Sequence, residues 1–287
     1  ADNGVVAQGD TQTGQDVTAI VTENMSKGDT SVCCMSRVAG AEVIPVDIGV
    51  AKPVTGARIR QKCVRRGTAD MTQGPAMTRE EAAHAVMTGL ELVGELKEAG
   101  YRILATGEMG IGNTTTSSAI VSVLLGKEAA EVTGRGAGLS TEGYQKKIAA
   151  VERAIAFNRP DPADGLDVLH KVGGLDIAGL AGVFLGGAVH HIPVLVDGFI
   201  SSAAALTAAA ICPACRDYML GSHASNEPAG RMVLEALGLH PFLFAEMCLG
   251  EGTGAVAVMP LLEMGAADYR GMCTFEATDI EAYQHLT

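Results

Sequence analysis

The stretch ILATGEMGIGNTTTSSAIVSVLL, Ile103 to Leu125, decides the fold. Ile103-Leu104-Ala105-Thr106 reads as a short strand, Gly107 to Asn113 as a glycine loop, and the alanine, valine and leucine residues beyond as a helix to Leu125. The same grammar recurs downstream. Pro193-Val194-Leu195-Val196 reads as a strand ending at Asp197-Gly198, with a helix from about Ile200 to Ile211. Thr133 to Gly138 is a second glycine loop ahead of a helix from about Ser140 to Asn158. Upstream, Glu42 to Ile48 (EVIPVDI) reads as a buried strand, and Thr78 with Glu81 forms a capping box before a helix that stops at Gly100. Strands alternating with helices require parallel pairing and right-handed crossovers. The expected class is therefore α/β: a doubly wound, mostly parallel sheet flanked by helices, Rossmann-like.

Composition supports a large ordered core: 47% of the 287 residues are hydrophobic and 19% charged. That core is built from small residues, since aromatics are 4%, Trp is absent and there are 36 glycines, well above the usual share of about 7%. Such glycine without a repeat argues for tight turns and close backbone approaches of the kind that hold phosphates. A net charge of −12 opposes non-specific attraction to nucleic acid or an anionic membrane, so an anionic ligand needs a local site. Seven cysteines (Cys33, Cys34, Cys63, Cys212, Cys215, Cys248, Cys273) show no repeated pair spacing and read as reduced, in the cytoplasm. Cys212-Pro-Ala-Cys215 is a lone pair, read as packing.

No charged-then-apolar leader opens the chain, and Ala1 to Val6 reads as a strand end running into a loop, as though the sequence enters inside a domain. Leu175 to Val196 is interrupted by Asp176, His190, His191 and Pro193, so it reads as two buried elements rather than a membrane span. Gly49 to Pro75 carries Arg58, Arg60, Lys62, Arg65 and Arg66 and reads as a long surface loop with a functional role. An amphipathic helix ends near Leu237, an apolar one runs from about Ala255 to Met264, and Asp268 to Thr287 reads as a surface helix or frayed tail.

In an open parallel sheet the ligand lies beyond the carboxyl ends of the strands. Four glycine junctions can converge there: Gly107 to Asn113, Gly134 to Gly138, Asp197-Gly198 and Gly250 to Gly254. None carries a dinucleotide or P-loop fingerprint. Glu108 and Glu251 are each flanked by glycines, and a carboxylate in an apolar crevice acquires a raised pKa and works as a base near neutrality. The plain alternative is a turn clamp. Arg135 and Lys147, the hydroxyls of Ser222 and Ser225 and helix N-terminal amides can hold a phosphate. Of the two cations, Lys147 fits a solvated surface charge better than the glycine-flanked Arg135. His190, His191 and His223 lack metal-ligand spacing and read as core or surface histidines. Without a nucleophile elbow or an Asp cluster, a transfer reaction with no metal and no cofactor fits best.

Gly107-Glu-Met-Gly-Ile-Gly-Asn-Thr-Thr115, Gly134-Arg-Gly-Ala-Gly138, Gly173-Gly-Leu-Asp-Ile-Ala178, Val196-Asp-Gly-Phe199, Gly221-Ser-His-Ala-Ser225 and Gly250-Glu-Gly-Thr-Gly-Ala255 follow one another in order. Together they resemble the successive motifs of the nicotinate-nucleotide:dimethylbenzimidazole phosphoribosyltransferase family, from Ala1 to about Tyr269. The resemblance implies transfer of a 5-phosphoribosyl group from nicotinate mononucleotide to a benzimidazole base in cobalamin nucleotide-loop assembly, with inversion. It implies Glu251 as the general base and Glu108 as a second carboxylate that orients the base or steadies an oxocarbenium-like transition state. Substrate contacts carried over are Gly107, Gly110, Gly112, Asn113, Thr114, Gly134, Arg135, Gly136, Gly138, Lys147, Asp197, Ser222, Ser225, Leu249, Gly250 and Gly252, with Gln8 in the benzimidazole pocket. Asn3 stands where the family is expected to have His, which bears on base preference. The resemblance also implies a homodimer whose partner helps complete the site. It divides the chain into a large α/β unit, residues 1–240, and an active-site loop with C-terminal helices, residues 241–287, that contribute to a small helical domain whose N-terminal part is missing from the sequence. Other readings are transfer to adenine, another benzimidazole or a phenol, or a non-catalytic nucleotide-binding paralogue.

Overall fold

The computed structural model describes residues 1–281, 283 and 284. Helices α1 (Asp16–Lys27) and α2 (Ser31–Ala39) precede strands β1 (Val46–Asp47) and β2 (Arg60–Gln61) and helix α3 (Arg79–Glu98). Then come β3 (Leu104–Ala105), α4 (Asn113–Leu125), α5 (Ala129–Val132), α6 (Thr141–Asn158), α7 (Gly165–Val172) and α8 (Leu175–His190). The chain continues through β4 (Val194–Val196), α9 (Phe199–Ile211), β5 (Met219–Gly221), α10 (Gly230–Leu237) and α11 (Thr253–Gly271).

Strands β3, β4 and β5 pair in that order, all parallel, with Leu104 opposite Val194 and Val194 opposite Met219. Parallel α/β pairing is thus observed, in a helix-rich molecule whose sheets are small. Val194, Leu195 and Val196 are wholly buried because helices cover both faces of β4, as a parallel strand requires. The capping box at α3 forms as expected: Thr78 Oγ accepts from the Glu81 N–H at 3.1 Å, and Glu81 Oε2 accepts from the Thr78 N–H at 2.8 Å.

Two expected features differ. The strand over Glu42–Ile48 shrinks to Val46–Asp47: Pro45 has no N–H to give to a ladder, and past the strand Asp47 Oδ1 accepts the N–H groups of Gly49 and Val50 and turns the chain. Ala1 to Val6 does not end a strand; a 3-10 turn spans Gly4–Gln8. The cations of the Gly49–Pro75 segment are consumed in holding it down. Arg60 and Lys62 pair with Glu95, Arg65 with Glu81, Arg66 with buried Asp47, and Arg58 binds the Ser26 and Met25 carbonyls. At the other end α11 runs past Met264 to Gly271, and the part of the acidic tail at Ala282 and His285–Thr287 lies outside the described residues.

Many glycines lie inside helices rather than at loops. A Cβ on Gly89 of α3 would run into the Gly179 carbonyl of α8 and stand 2.9 Å from the Val183 nitrogen; one on Gly182 would meet the Val86 carbonyl. Helices α3 and α8 therefore touch main chain to main chain. Gly182→Ala is expected to destabilise the protein by about 1–3 kcal/mol, seen as a lower urea midpoint with an unchanged slope. All seven cysteines are free, and no helix among the described residues is long and apolar enough to cross a membrane.

Candidate active site

Strand β3 delivers Glu108, and the loop before α11 delivers Glu251. The two loops meet backbone to backbone: a Cβ on Gly107 would stand 2.6 Å from the Glu251 carbonyl carbon and 2.7 Å from the Gly252 nitrogen. Gly250, Glu251 and Gly252 are all left-handed, at φ +87°, +60° and +90°. For Glu251 that conformation costs roughly 1–2 kcal/mol. Asp197, just past β4, offsets the strain by holding the next turn: its Oδ2 accepts from the Gly252 N–H at 3.2 Å and its Oδ1 from the Ala255 N–H at 3.0 Å. So fixed, Glu251 reaches across to α2, where Oε2 accepts from the Val32 N–H at 3.0 Å. That amide is in the first helical turn and has no partner within the helix. Glu108 and Glu251 line one cavity of about 1100 Å³, whose walls include Met25, Val32, Leu92, Ile103 and Val256. Its volume exceeds the roughly 300–1,000 Å³ of a usual small-ligand site.

Glu108 is part of a carboxylate pair. Asn113 Nδ2, at the start of α4, donates to Glu108 Oε2 and also to Asp176 Oδ2 at 3.2 Å. Burial, and then the neighbouring Asp176 charge, push the Glu108 carboxyl up to about 8, against the lowering effect of the Asn113 hydrogen bond. Asp197 is also raised by burial, and burial holds His223 below the ordinary histidine range. His223 Nδ1 lies 3.0 Å from Ser222 Oγ and 3.9 Å from Asp197 Oδ1, and its ring fills the space a Cβ on Gly254 would need. His223 is thus a core histidine that packs the α11 N-terminus.

Beyond Asn113, Thr114 opens a second polar region. Lys147 is wholly buried; its Nζ donates to Thr114 Oγ1 at 2.8 Å and to the Gly134 carbonyl at 3.0 Å, and a Cβ on Gly136 would lie 3.4 Å from it. Burial lowers the Lys147 pKa, opposed by the charges of Glu227 and Asp10. The expected ranking of the two cations is reversed. Arg135 is exposed, donates to the Leu139 carbonyl at 2.8 Å and stacks over Tyr144 at 5.0 Å. Lys147 shares the inward face of α6 with Ile148, Ala150, Val151 and Ala154, so it is not a solvated surface charge.

The structure gathers Gly107, Glu108, Glu251 and Gly252 at the cavity, with Gly250 packed against Glu108 Oε1 and Gly110 against Asp176 and Asn113. Gly112 caps α4. Gly134, Gly136 and Thr114 surround Lys147; Ser225 Oγ accepts from the Glu227 N–H at 3.3 Å, and Gly138 is exposed at the loop's outer end. Other expected contacts lie elsewhere. Gln8 is outside the cavity lining, bound to Asp70 at 2.6 Å and Arg153 at 2.8 Å. Ser222 donates its hydroxyl proton to the Val196 carbonyl at 2.6 Å. Leu249 is exposed. Asn3 is buried, its amide 3.5 Å from the Ile111 carbonyl, and supports the glycine loop rather than the cavity wall. Sequence reasoning missed the part Asp176 and the Val32 amide play at the site. Asp176 left a trace as a charge inside an apolar helix, whereas a backbone amide left none.

The model of the phosphoribosyltransferase family matches residues 1–280. The nicotinate-nucleotide–dimethylbenzimidazole phosphoribosyltransferase of Ruminiclostridium cellulolyticum is 48% identical over 286 residues, which span 100% of this chain and 81% of that protein. That of Acetivibrio thermocellus is 48% identical over 284 residues, 99% of this chain and 81% of the relative. Among solved structures, CobT from Thermus thermophilus superposes with a TM-score of 0.93 at 40% identity, covering 98% of this chain and 84% of that one.

Proposed function

Because the chain belongs to the phosphoribosyltransferase family, we propose that it transfers the 5-phosphoribosyl group of nicotinate mononucleotide to 5,6-dimethylbenzimidazole, giving α-ribazole 5′-phosphate and nicotinate. The observation that carries this reading is Glu251, a carboxylate held on the cavity by a strained backbone and the Val32 amide. In nicotinate mononucleotide the leaving nitrogen is cationic. As its bond to C1′ breaks, the electron pair stays on nitrogen and nicotinate departs with a neutral ring, so no acid is needed there. One benzimidazole nitrogen attacks C1′ with its lone pair from the opposite face, which inverts the β-riboside to the α-riboside, while the other gives its proton to Glu251. Base catalysis contributes roughly 10²–10⁴-fold, and holding two substrates in line supplies much of the remainder. Lys147, Thr114, the Gly134–Gly138 loop and Ser225 are the proposed phosphate contacts, and Asp197 acts through Glu251 as a positioning residue.

Incubation with nicotinate mononucleotide and dimethylbenzimidazole is expected to release nicotinate and form α-ribazole phosphate in equal amounts; nucleotide binding with no nicotinate released would favour a non-catalytic binding protein. We read residues 241–287 as an active-site loop and helices of a small domain beside the α/β unit of residues 1–240. A homodimer is proposed because Phe242, Phe244 and Leu249 are exposed on the segment leading into Gly250. Sedimentation at the mass of a single chain would overturn it. The seven free thiols support a cytoplasmic location.

A further inference from the structure

Glu108 and Asp176 come from different elements, the loop after β3 and the first turn of α8, yet both carboxylates hang on one amide nitrogen, that of Asn113. Two oxygens within hydrogen-bond reach of one nitrogen are less than about 6 Å apart. Asp176 is buried, and its Oδ1 is taken by the Ile177 N–H at 3.0 Å. Glu108 keeps some exposure, and it faces the cavity. Its Oε1 lies against Gly250, where a Cβ would stand 2.7 Å away. The charged side chains acting on Glu108 are the carboxylates of Asp176 and Asp197. Among the described residues, no lysine or arginine forms an ion pair with Glu108 or Asp176. Burial and the like charge of Asp176 beside it both disfavour the ionised form of Glu108.

We propose that Glu108 works as a neutral carboxylic acid, kept protonated by Asp176 across Asn113, and donates an O–H hydrogen bond to an oxygen of the bound nucleotide while Glu251 works as the base. The inference rests on the transfer reaction proposed above. Two carboxylates in one cavity then have opposite duties set by their surroundings: Glu251 meets a backbone N–H at a helix start, and Glu108 meets a second carboxylate. The role differs from the one the family resemblance implies, since a neutral acid cannot steady a cation by charge. It has a catalytic reason. An ionised Glu108 would attract the cationic pyridinium ring of the donor and stabilise the ground state, whereas a neutral donor does not. The direction of titration agrees, because Glu108 is raised from an ordinary 4.5 to about 8. No proton leaves Glu108 during transfer; the proton released by the acceptor base goes to Glu251.

The test has an arm that needs no turnover. Infrared spectra at pH 7 are expected to show the carbonyl band of a protonated carboxylic acid in the wild type and its loss in Glu108→Gln. In steady-state assays the wild type is expected to lose kcat/KM as pH rises through about 8. Glu108→Gln, which still donates a hydrogen bond, is expected to fall about tenfold and to lose that alkaline decline, while Glu108→Ala falls roughly 10²–10³-fold. Asp176→Asn, a change in a positioning residue, is expected to move the decline to lower pH. Absence of the infrared band, or a Glu108→Gln variant as impaired as Glu108→Ala at every pH, overturns the proposal. A wild type that releases no nicotinate but shows the band overturns the assigned reaction and leaves the protonated pair standing.

Discussion

Glu251→Gln is expected to lower kcat by roughly 10²–10⁴-fold, the usual worth of a positioned base, while the affinity for nicotinate mononucleotide stays within about threefold. The substitution isolates proton transfer. A Gln carbonyl oxygen can still accept the Val32 N–H that Glu251 Oε2 accepts at 3.0 Å, and the side chain keeps its length, so the strained backbone at φ +60° is undisturbed. What it cannot do is take the benzimidazole proton. Equilibrium dialysis with labelled nucleotide and single-turnover assays separate the two quantities; near-normal turnover would remove Glu251 from the base role. Asp197→Asn provides the complementary case. One of the two N–H groups that Asp197 accepts, from Gly252 and Ala255, would then face an amide donor, so the loop is expected to loosen and kcat to fall about tenfold with nucleotide affinity retained.

How legible the molecule is in its sequence depends on which atoms carry each feature. Helices with side-chain signals are readable: the Thr78–Glu81 capping box and Ser140 at the start of α6 both make their caps in the structure. Strands are less so. Three residues of β4 pair fully, but Glu42–Ile48 mostly stays out of the sheet, because Pro45 has no N–H for a ladder and Asp47 turns the chain just beyond. Strand β5, only Met219–Gly221, is too short to show a period of its own. The glycine excess points at loops, yet Gly89 and Gly182 are explained by two helices touching main chain to main chain, a tertiary fact with no local signature. At the site, glycine-flanked Glu108 and Glu251 stand out in the sequence, and both line the cavity. The partners that give them different characters do not. The Val32 amide is 219 positions from Glu251, and Asp176 is 63 positions from the Asn113 it shares with Glu108, so only the fold brings them together.

The cations make the sharpest contrast between pattern and structure, and Lys147→Met should show it. The α6 stripe of Gly143, Lys147, Ile148, Ala150, Val151 and Ala154 places Lys147 on the buried face, but the glycine neighbours of Arg135 point the other way. Met keeps much of the buried stem of Lys147 while removing the charge that donates to Thr114 and Gly134. It also leaves the carboxylates whose charges act on Lys147 without their cation: Asp10, 1% exposed and with one oxygen unpartnered, and Glu227, whose Oε2 is likewise buried and unpartnered. A phosphate brought to that region would then meet negative charge instead of an ammonium. Losing one partner of a buried charge contact costs about 2–5 kcal/mol, which is roughly 30- to 5,000-fold in affinity. KM for nicotinate mononucleotide should therefore rise by at least the lower figure, with the benzimidazole KM little changed. Arg135→Ala loses only an exposed stack on Tyr144 and loop hydrogen bonds, and should move the same KM by no more than about threefold. Isothermal titration with the nucleotide reads both variants on one scale. The reverse order, with Arg135→Ala abolishing binding and Lys147→Met sparing it, would move the phosphate off the buried lysine and onto the loop surface.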